Sequence, residues 1–329
     1  MMPSPPDALM QLAAGALVSR SLHVVADLGV ADALDETPRT AAELAAATGA
    51  HASALDRTLR LLSSYGVFET RDGKVAHTPS SRLLRTDHPQ SMRAGVRLWG
   101  LPIIQGSYQH MDVSLRTGQP AAREVAPAGF FPYFADHPDE GRAFGEAMTA
   151  KAHGAVVGIL GAYDFSRFAV IGDIGGGHGH LLQAILESAP LATGLLFDLP
   201  EVIREAAPLE SARLSFVAGD FFEDPLPKCD AYVMMEIIHD WNDEQASAIL
   251  TAVRAAAPDH ATLLLIEAIV PDDPGPQWPK TLDIAMLAIT GGLQRTTPEY
   301  VALLAATGFQ LERVIETGAG VSILEATTI

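Results

Sequence analysis

The chain is poor in cysteine and in positive charge, and both shortages restrict what it can do. Cys229 is the only cysteine among 329 residues, so no disulfide framework can form and we expect a reducing, cytoplasmic environment. The 22 lysines and arginines are outnumbered by 40 aspartates and glutamates, which gives a formal net charge of −18 at pH 7. Charge of this sign repels nucleic acid and anionic membrane surfaces. We therefore expect neither as a partner.

Long apolar runs and targeting signals are also missing. No uninterrupted apolar run approaches the length of a membrane span, and Met1–Asp7 lacks the positive region of a signal peptide. The chain is nevertheless 48% apolar. Its length and composition are sufficient for a real core and comfortable for two domains.

The segment Val170–His180 reads V-I-G-D-I-G-G-G-H-G-H. An apolar run precedes its glycines and a helical pattern follows them, which predicts a strand, a tight turn and a helix. Glycines at such a turn permit positive φ and let a ligand lie against bare backbone. A dinucleotide fingerprint requires a small residue where His180 stands. The spacing of Asp173, Gly175 and Gly177 instead favours a ligand without phosphate, such as the amino acid and ribose parts of S-adenosylmethionine, although a plain tight connection is the alternative.

The first third of the chain has the pattern of a winged helix. Ala8–Leu34 carries apolar residues at helical spacing, and Thr40 with Glu43 forms a capping box for the next helix. A second short helix covers Ala52–Tyr65, and Asp72-Gly73 turns a two-stranded wing.

Winged helices often bind DNA, but the residues argue against that role here. The second helix offers Arg57 and Arg60 together with Asp56, and the acidic chain has no basic stripe to neutralise phosphates. We expect the apolar helix faces to pair with another copy of the chain. A ligand-sensing regulator remains the alternative from another functional class.

Residues 91–160 are predicted to be mostly helical and rich in large apolar side chains. Trp99, Phe144 and Met148 belong to this set, and the last two share one helical face because they are four residues apart. Ordinary helix packing accounts for most of these positions. The functional interpretation is an apolar lid over an aromatic substrate.

Strands and helices alternate after the glycine turn, which predicts an open, mostly parallel sheet with helices on both faces. Ligands of such sheets bind at the carboxyl ends of the strands. Asp198 follows the second strand and can accept hydrogen bonds from both ribose hydroxyls. Asp220 follows the third strand, where it can bind an adenine amino group while Phe221 packs on the ring. For both acids the alternative is a helix cap or a turn.

His239 follows the fourth strand and precedes Trp241, and Glu267 ends the adjacent strand. Glu267 can hydrogen-bond one ring nitrogen and leave the other free to accept a proton, which is the arrangement of a base with an orienting group. Asp240, Asn242 and Asp243 could suggest a metal site. We expect no metal, because Asn242 or Asp243 is needed as a helix cap and no second histidine lies at ligand spacing.

Together these residues resemble the homodimeric S-adenosylmethionine-dependent O-methyltransferases, which include plant caffeate and flavonoid enzymes and bacterial natural-product enzymes. The resemblance covers essentially the whole chain. Its marks are Asp173–Gly179, Phe197-Asp198-Leu199-Pro200, Gly219-Asp220-Phe221-Phe222, His239-Asp240-Trp241, Glu267, Gly291-Gly292 and Arg295-Thr296.

The resemblance implies an α/β fold in which a Rossmann-like class I methyltransferase domain (residues 161–329) follows an N-terminal, all-helical winged-helix dimerisation domain (residues 1–90). Residues 91–160 would form a helical linker and lid. The implied catalytic residues are His239 as general base, Glu267 and Gln294. The implied cofactor-binding residues are Asp173, Gly175, Gly177, Asp198, Leu199, Gly219, Asp220, Phe221 and Met235. The implied substrate residues are Trp99, Phe144, Met148, Asp240 and Met286.

Three positions depart from the family pattern. Gln294 stands where a glutamate usually supports the histidine, Met235 replaces a lysine or arginine on the fourth strand, and Glu236 is an unexpected acid. These departures leave the cofactor in place and put the tuning of the base in question. The sequence therefore predicts transfer of a methyl group from S-adenosylmethionine to a hydroxylated aromatic small molecule. The alternative with the same cofactor is a hydroxylation, decarboxylation or cyclisation on this scaffold.

Overall fold

The computed structural model describes residues 4–206 and 209–329, and the chain divides into two compact units. Unit 1 comprises Met1–Gln105 with Phe134–Ala150, and unit 2 comprises Gly106–Tyr133 with Lys151–Ile329. The predicted segment 91–160 is therefore shared between the two units. The domain boundaries at residues 90 and 160 stay predictions.

The described helices are α1 (Pro5–Ala13), α2 (Gly15–Asp27), α3 (Val30–Ala33), α4 (Ala41–Thr48), α5 (Ala52–Ser64), α6 (Pro79–Arg82), α7 (Arg93–Trp99), α8 (Pro102–Gln109), α9 (Met111–Thr117), α10 (Phe130–Asp136), α11 (Pro138–Ala162), α12 (His180–Ser188), α13 (Pro200–Ala206), α14 (Asp243–Ala256), α15 (Trp278–Ile289) and α16 (Thr297–Ala306). The described strands are β1 (Arg39–Thr40), β2 (Phe68–Arg71), β3 (Lys74–His77), β4 (Val170–Ile174), β5 (Thr193–Asp198), β6 (Leu214–Ala218), β7 (Ala231–Met235), β8 (Thr262–Glu267), β9 (Phe309–Glu316) and β10 (Ser322–Thr328).

Unit 1 contains the predicted helix pair and wing. The amide of Glu43 donates to Oγ1 of Thr40 over 3.3 Å, and the amide of Thr40 donates to the carboxylate of Glu43 over 2.7 Å. This capping box begins α4 as predicted. Asp72 and Gly73 both have positive φ, at 51° and 71°, as a two-residue hairpin turn of type I′ requires. The wing also has a third strand that we did not predict, because β1 is only two residues long.

The core of unit 1 is formed by the apolar faces of these short helices and the wing. Leu55, Leu59 and Leu62 of α5 are buried at helical spacing, and they pack with Leu44 and Phe68 in one cluster. Each such side chain contributes about 1.5–3 kcal/mol when it leaves water. The helix-turn-helix is therefore built around its own core.

Unit 2 is built on a seven-stranded sheet with strand order β6-β5-β4-β7-β8-β10-β9. The five strands β4 to β8 pair in parallel, and β10 lies antiparallel to both β8 and β9. Buried apolar clusters cover both faces, and all six residues of β8 are buried. The predicted open, mostly parallel α/β sheet is confirmed, with an antiparallel pair at one edge.

The parallel strands place their carboxyl ends along one edge of the sheet. Asp198, Met235 and Glu267 are the last residues of β5, β7 and β8, and Asp173 is the penultimate residue of β4. Residues that are up to 94 positions apart in sequence therefore meet at one rim.

No single helix within residues 4–206 and 209–329 has the length and apolar character needed to cross a membrane. The two helices α1 and α2 meet those criteria only when taken together across a bend of 43°.

Candidate functional site

The glycine turn after β4 has the positive φ angles that its sequence predicts. Gly175 and Gly177 have φ values of 72° and 59°, a region that side chains other than glycine rarely adopt. A Cβ atom on Gly176 would lie 2.4 Å from the carboxylate of Asp173 and 2.5 Å from Leu196. A Cβ atom on Gly177 would meet nothing within 4 Å. The turn is thus tightly packed towards the sheet and open on its other side.

Asp198 ties the glycine turn to the neighbouring strand. Its Oδ2 accepts a hydrogen bond of 2.8 Å from the amide of Gly177, and its Oδ1 accepts one of 2.7 Å from the amide of Leu199. Burial raises the pKa of this carboxyl, while both amides lower it. Asp198 is therefore held in place before any ligand arrives.

Asp173 lies beneath the turn and is almost fully buried, at 1% exposure. Among the described residues no group hydrogen-bonds its Oδ2. Burial, with a smaller effect from Asp198, raises the pKa of Asp173 to about 7. A buried carboxyl with an unused oxygen is a binding group for a ligand that brings a donor.

Asp220 stabilises a turn with its side chain, which the sequence offers as the alternative to binding a ligand. Its Oδ1 accepts a 2.9 Å hydrogen bond from the amide of Phe222. Phe221, Phe222 and Trp241 surround this turn with edge-to-face ring contacts, and their centroids lie 4.8–5.9 Å apart. A Cβ atom on Gly219 would lie 2.8 Å from the ring of Phe197. The turn therefore presents an aromatic wall beside an acid.

His239 occupies a short 3₁₀ turn, Ile238–Asp240, and only 5% of its surface is exposed. Its Nδ1 is hydrogen-bonded to the side-chain amide of Gln294, while Oε2 of Glu267 lies 3.8 Å from the same nitrogen. We expected Glu267 to hold this nitrogen. The structure gives the hydrogen bond to Gln294, while Oε1 of Glu267 accepts the amide proton of Ile238 over 2.9 Å.

The charges around His239 differ from the expectation as well. Burial, followed by the charges of Lys151 and Arg295, lowers the pKa of His239 to about 3. Burial and neighbouring acids raise the pKa of Glu267 well above its ordinary value. The ring is therefore neutral at pH 7, and the raised pKa of Glu267 opposes the negative charge that we expect to offset an imidazolium.

The unexpected acid Glu236 has a definite partner. It adopts a positive φ of 53°, and its carboxylate forms an ion pair of 2.5 Å with Lys151 from α11. The side chain of Glu236 is 11% exposed and that of Lys151 is 39% exposed. Sequence reasoning did not identify Lys151, because nothing along the chain relates it to a residue 85 positions away.

Asp240 lies on the other side of the ring, with Oδ1 3.7 Å from Nε2 of His239. Burial, reinforced by Glu236 and opposed by Lys151, raises its pKa to about 7. Asp240 and Trp241 also line a cavity of about 520 Å³ in unit 2, together with Phe130, Phe131 and Thr290. Nε2 of His239 therefore borders an acid that reaches this cavity.

The remaining substrate residues that we predicted are divided between the units. Met286 is buried in α15 of unit 2, at 8% exposure. Trp99, Phe144 and Met148 lie in unit 1, where Phe144 stacks on Phe134 with ring centroids 5.0 Å apart. Their roles stay predictions.

Asn242 caps α14 by accepting a 3.0 Å hydrogen bond from the amide of Gln245. The described part of the chain contains no group of three or more His, Cys, Asp or Glu side chains arranged to hold a metal ion.

Comparison with known proteins identifies both halves of the chain. Residues 10–87 match an O-methyltransferase dimerisation domain, and residues 108–310 match an O-methyltransferase domain. The phenazine O-methyltransferase PhzM of Lysobacter antibioticus is 40% identical over 332 residues, which are 98% of this chain and 96% of the relative.

Two solved structures have the same fold. The crystal structure of LaPhzM has a TM-score of 0.89 at 39% identity and covers 99% of this chain and 100% of its own. An O-methyltransferase from neocarzinostatin biosynthesis, in complex with S-adenosylmethionine and 2-hydroxy-5-methyl naphthoic acid, has a TM-score of 0.81 at 32% identity and covers 94% and 96% of the two chains. The chain thus belongs to the O-methyltransferase family that carries a dimerisation domain, and it is an S-adenosylmethionine-dependent O-methyltransferase.

Proposed function

We propose that the enzyme methylates a hydroxyl group of an aromatic natural-product molecule and that Nε2 of His239 accepts the proton of that hydroxyl. The observation that carries the proposal is the pairing of Nδ1 with Gln294. This pairing occupies one ring nitrogen and leaves Nε2 for the acceptor. The neutral ring, with its pKa lowered to about 3, is in the protonation state that a base requires.

The residues at the rim fit S-adenosylmethionine. Asp173 offers an unused carboxylate oxygen among the described residues, which suits the ammonium group of the amino acid part. Gly177 leaves open space above the turn, and Asp198 is fixed by two amides at the place where ribose hydroxyls are expected. We assign the adenine to Asp220 and Phe221, with Gly175, Leu199, Gly219 and Met235 completing the surface.

The tautomer of His239 follows from the orientation of the Gln294 amide. If Nε2 of Gln294 donates to Nδ1, the ring carries its proton on the nitrogen that faces the acceptor and cannot act as a base. If Oε1 of Gln294 faces Nδ1, it accepts the Nδ1 proton and frees the lone pair on Nε2 of the ring. Amide oxygen and nitrogen are assigned from their hydrogen bonds. In the structure Nε2 of Gln294 faces Nδ1, and the buried Oε1 has no hydrogen-bond partner among the described residues. We propose the flipped amide, with Oε1 facing Nδ1, as the orientation of the active enzyme.

The cofactor supplies an already activated sulfonium methyl group, so the protein must mainly align and deprotonate the acceptor. A phenol has a pKa of about 10 and is mostly neutral at pH 7. A positioned base typically contributes about 10²–10⁴ to such a rate. Asp240, 3.7 Å from Nε2, is placed to accept a hydrogen bond from a second polar group of the acceptor.

The acceptor class rests on the relatives and on the cavity. One relative is named as a phenazine O-methyltransferase, and another was solved with a naphthoic acid. Phe130, Phe131 and Trp241 give the cavity beside Asp240 aromatic walls, which suits a flat ring system. We include Met286 of unit 2 in the proposed acceptor site, and acceptor contacts by Trp99, Phe144 and Met148 stay predictions from the sequence.

Radiolabelled S-adenosylmethionine with a panel of hydroxyphenazines, hydroxynaphthoates and amino-substituted counterparts tests the acceptor class. We expect label to transfer to a hydroxyl oxygen, with S-adenosylhomocysteine formed in equal amount. Transfer only to nitrogen or to a non-aromatic acceptor would refute the proposal.

Replacing the proposed base tests its role. We expect His239→Ala to lower kcat by about 10²–10⁴ while the Kd for S-adenosylhomocysteine stays within twofold, because the proposed cofactor residues lie outside the turn Ile238–Asp240. Wild-type turnover would exclude His239 as the base. Isothermal titration calorimetry on the same preparation supplies the control for cofactor binding.

We further propose that the enzyme is a cytoplasmic homodimer that works without a metal. The dimerisation domain matched by residues 10–87 supports the dimer. Full turnover after exhaustive dialysis against EDTA is the expected result for a metal-free reaction.

A further inference from the structure

We propose that Arg295 is a positioning residue. It holds His239 in its reactive orientation by hydrogen-bonding the backbone before and after His239. The inference rests on the proposed role of His239 and adds a residue to which no role has been given above. Arg295 is a charged side chain with 0% exposure, and such a residue needs partners for every donor it buries.

The turn that carries the base supplies acceptors for the guanidinium of Arg295. Nη1 donates to the carbonyl oxygen of Ile238 over 3.1 Å, and Nη2 donates to that of Trp241 over 3.0 Å. These two carbonyls bracket His239 and Asp240. One rigid planar group thus fixes the beginning and the end of the turn.

Asp243 fixes the guanidinium in turn. Its Oδ1 accepts hydrogen bonds from Nε over 3.0 Å and from Nη2 over 2.8 Å. Asp243 is the first residue of α14. The planar set of N–H donors on Arg295, which we call the fork, therefore also connects the turn to the start of that helix. A lysine has one compact ammonium group and cannot reproduce this planar set of donors.

The backbone just before Arg295 also contacts the same turn. The amide of Leu293 donates to the carbonyl oxygen of His239 over 2.9 Å. A Cβ atom on Gly292 would lie 2.1 Å from that oxygen and 2.5 Å from the carbonyl carbon of Asp240. The segment 292–295 therefore lies flat against the peptide of the base and also carries Gln294, the partner of its ring.

Charge is a separate effect that the test must distinguish from position. Among the described residues, four titratable or charged side chains lie around His239. They are Asp240 on the turn itself, Glu267 on β8, Lys151 on α11 and Arg295, and the backbone of Glu236 also hydrogen-bonds the ring and raises its pKa. Lys151 and Arg295 both lower the pKa of the ring, but only Arg295 is bonded to the turn.

Arg295→Lys keeps the charge and removes the fork. We expect kcat to fall about 10- to 100-fold, because small misplacements of a reacting group cost this much. The measurement uses S-adenosylmethionine with whichever hydroxyphenazine or hydroxynaphthoate turns over fastest. The KM for S-adenosylmethionine should stay within twofold, and the acid limb of the pH profile should not move.

Lys151→Met is the matched control because it removes a charge and leaves the fork intact. It should move the acid limb of kcat/KM to higher pH, since the lost cation had lowered the pKa of His239. Nitrogen-15 NMR of the His239 ring gives a direct second readout, assigned with His239→Gln. We expect one tautomer in the wild type and a mixture in Arg295→Lys.

Wild-type kcat and a single tautomer in Arg295→Lys would overturn the proposal. If His239→Ala also turned over normally, the proposed base itself would be wrong, so the two failures can be told apart. Should Arg295→Lys not fold, Asp243→Ala removes the anchor of Nε and Nη2 from an exposed position. The proposal then requires a loss of kcat at constant KM for S-adenosylmethionine, and unchanged kcat would overturn it.

Discussion

Single residues at this rim take their properties from their surroundings. His239 and Glu267 are both buried, and burial moves their pKa values in opposite directions, down for the imidazole and up for the carboxyl. The imidazole is therefore neutral at pH 7, and the carboxyl of Glu267 holds its proton more tightly than an ordinary glutamate does. A neutral imidazole with one nitrogen engaged by Gln294 is in the protonation state that accepts a proton, and its lowered pKa makes it a weaker base than an ordinary histidine.

Restoring a carboxylate at position 294 should change the pH dependence of the enzyme. In Gln294→Glu a negative charge beside Nδ1 stabilises the imidazolium and raises the pKa of His239. The acid limb of kcat/KM should consequently move to higher pH, as measured by steady-state kinetics from about pH 3, where the pKa of wild-type His239 lies, upwards. Gln294→Met, which adds no charge, serves as the control and should lower kcat without that shift. An unmoved limb in Gln294→Glu would contradict the assigned contact.

Asp173 should destabilise the ligand-free protein at neutral pH. Its pKa is raised from 3.8 to about 7, so the folded chain keeps a proton that the unfolded chain loses between pH 4 and 7. Stability from this group is present below pH 4 and lost as pH rises to 7. Asp173→Asn should therefore become more stable than the wild type by up to about 4 kcal/mol at pH 8. It should also bind S-adenosylmethionine more weakly.

Urea unfolding at pH 4.5 and pH 8 measures this effect. The stability difference between Asp173→Asn and the wild type should grow with pH. A difference that is constant or shrinks would show that the carboxyl titrates normally.

At the scale of elements, the glycine turn between β4 and α12 depends on close packing with Asp173. In Gly176→Ala the new Cβ would strike the Asp173 carboxylate and Leu196. We expect the Kd for S-adenosylhomocysteine to rise at least about tenfold, which corresponds to about 1.4 kcal/mol. The test is calorimetry on both variants, with Gly154→Ala in α11 as control because its Cβ would meet nothing within 4 Å. Equal affinities would contradict the assignment of this turn to the cofactor.

The elements were largely predictable because their signals are local. The capping box of Thr40 with Glu43, the Asp72-Gly73 turn and the apolar run of β8 each specify structure within a few residues. The strand ends then follow from parallel pairing, which brought Asp198 and Glu267 to one rim without knowledge of side-chain positions.

Contacts between distant segments were not predictable from the sequence. The ion pair of Lys151 with Glu236 and the choice of Gln294 over Glu267 as partner of Nδ1 depend on how segments far apart in sequence pack together. The fork of Arg295 likewise joins segments that no periodicity connects. The sequence indicates which residue types lie near the site. The packing of distant segments determines which of those side chains are in contact.

For the whole molecule, the first two helices present apolar side chains to solvent. Leu9, Leu12 and Leu17 are 69–79% exposed, an exposure that favours a protein interface. We expect the chain to be a dimer by sedimentation velocity and expect Leu12→Asp with Leu17→Asp to weaken that dimer. Leu191→Asp, at a 94% exposed position of unit 2, is the control and should leave it unchanged. A monomeric wild type would contradict the proposed assembly.

The proton transfer to His239 is tested most directly by the dependence of rate on acceptor acidity. The measurement compares kcat of wild type and His239→Gln for one active phenol and its ring-fluorinated analogues, which differ in pKa with little change of shape. With a working base, the loss in His239→Gln should be largest for the least acidic phenol and should shrink as the phenol ionises by itself. An equal loss, or none, across the series would contradict His239 as the proton acceptor.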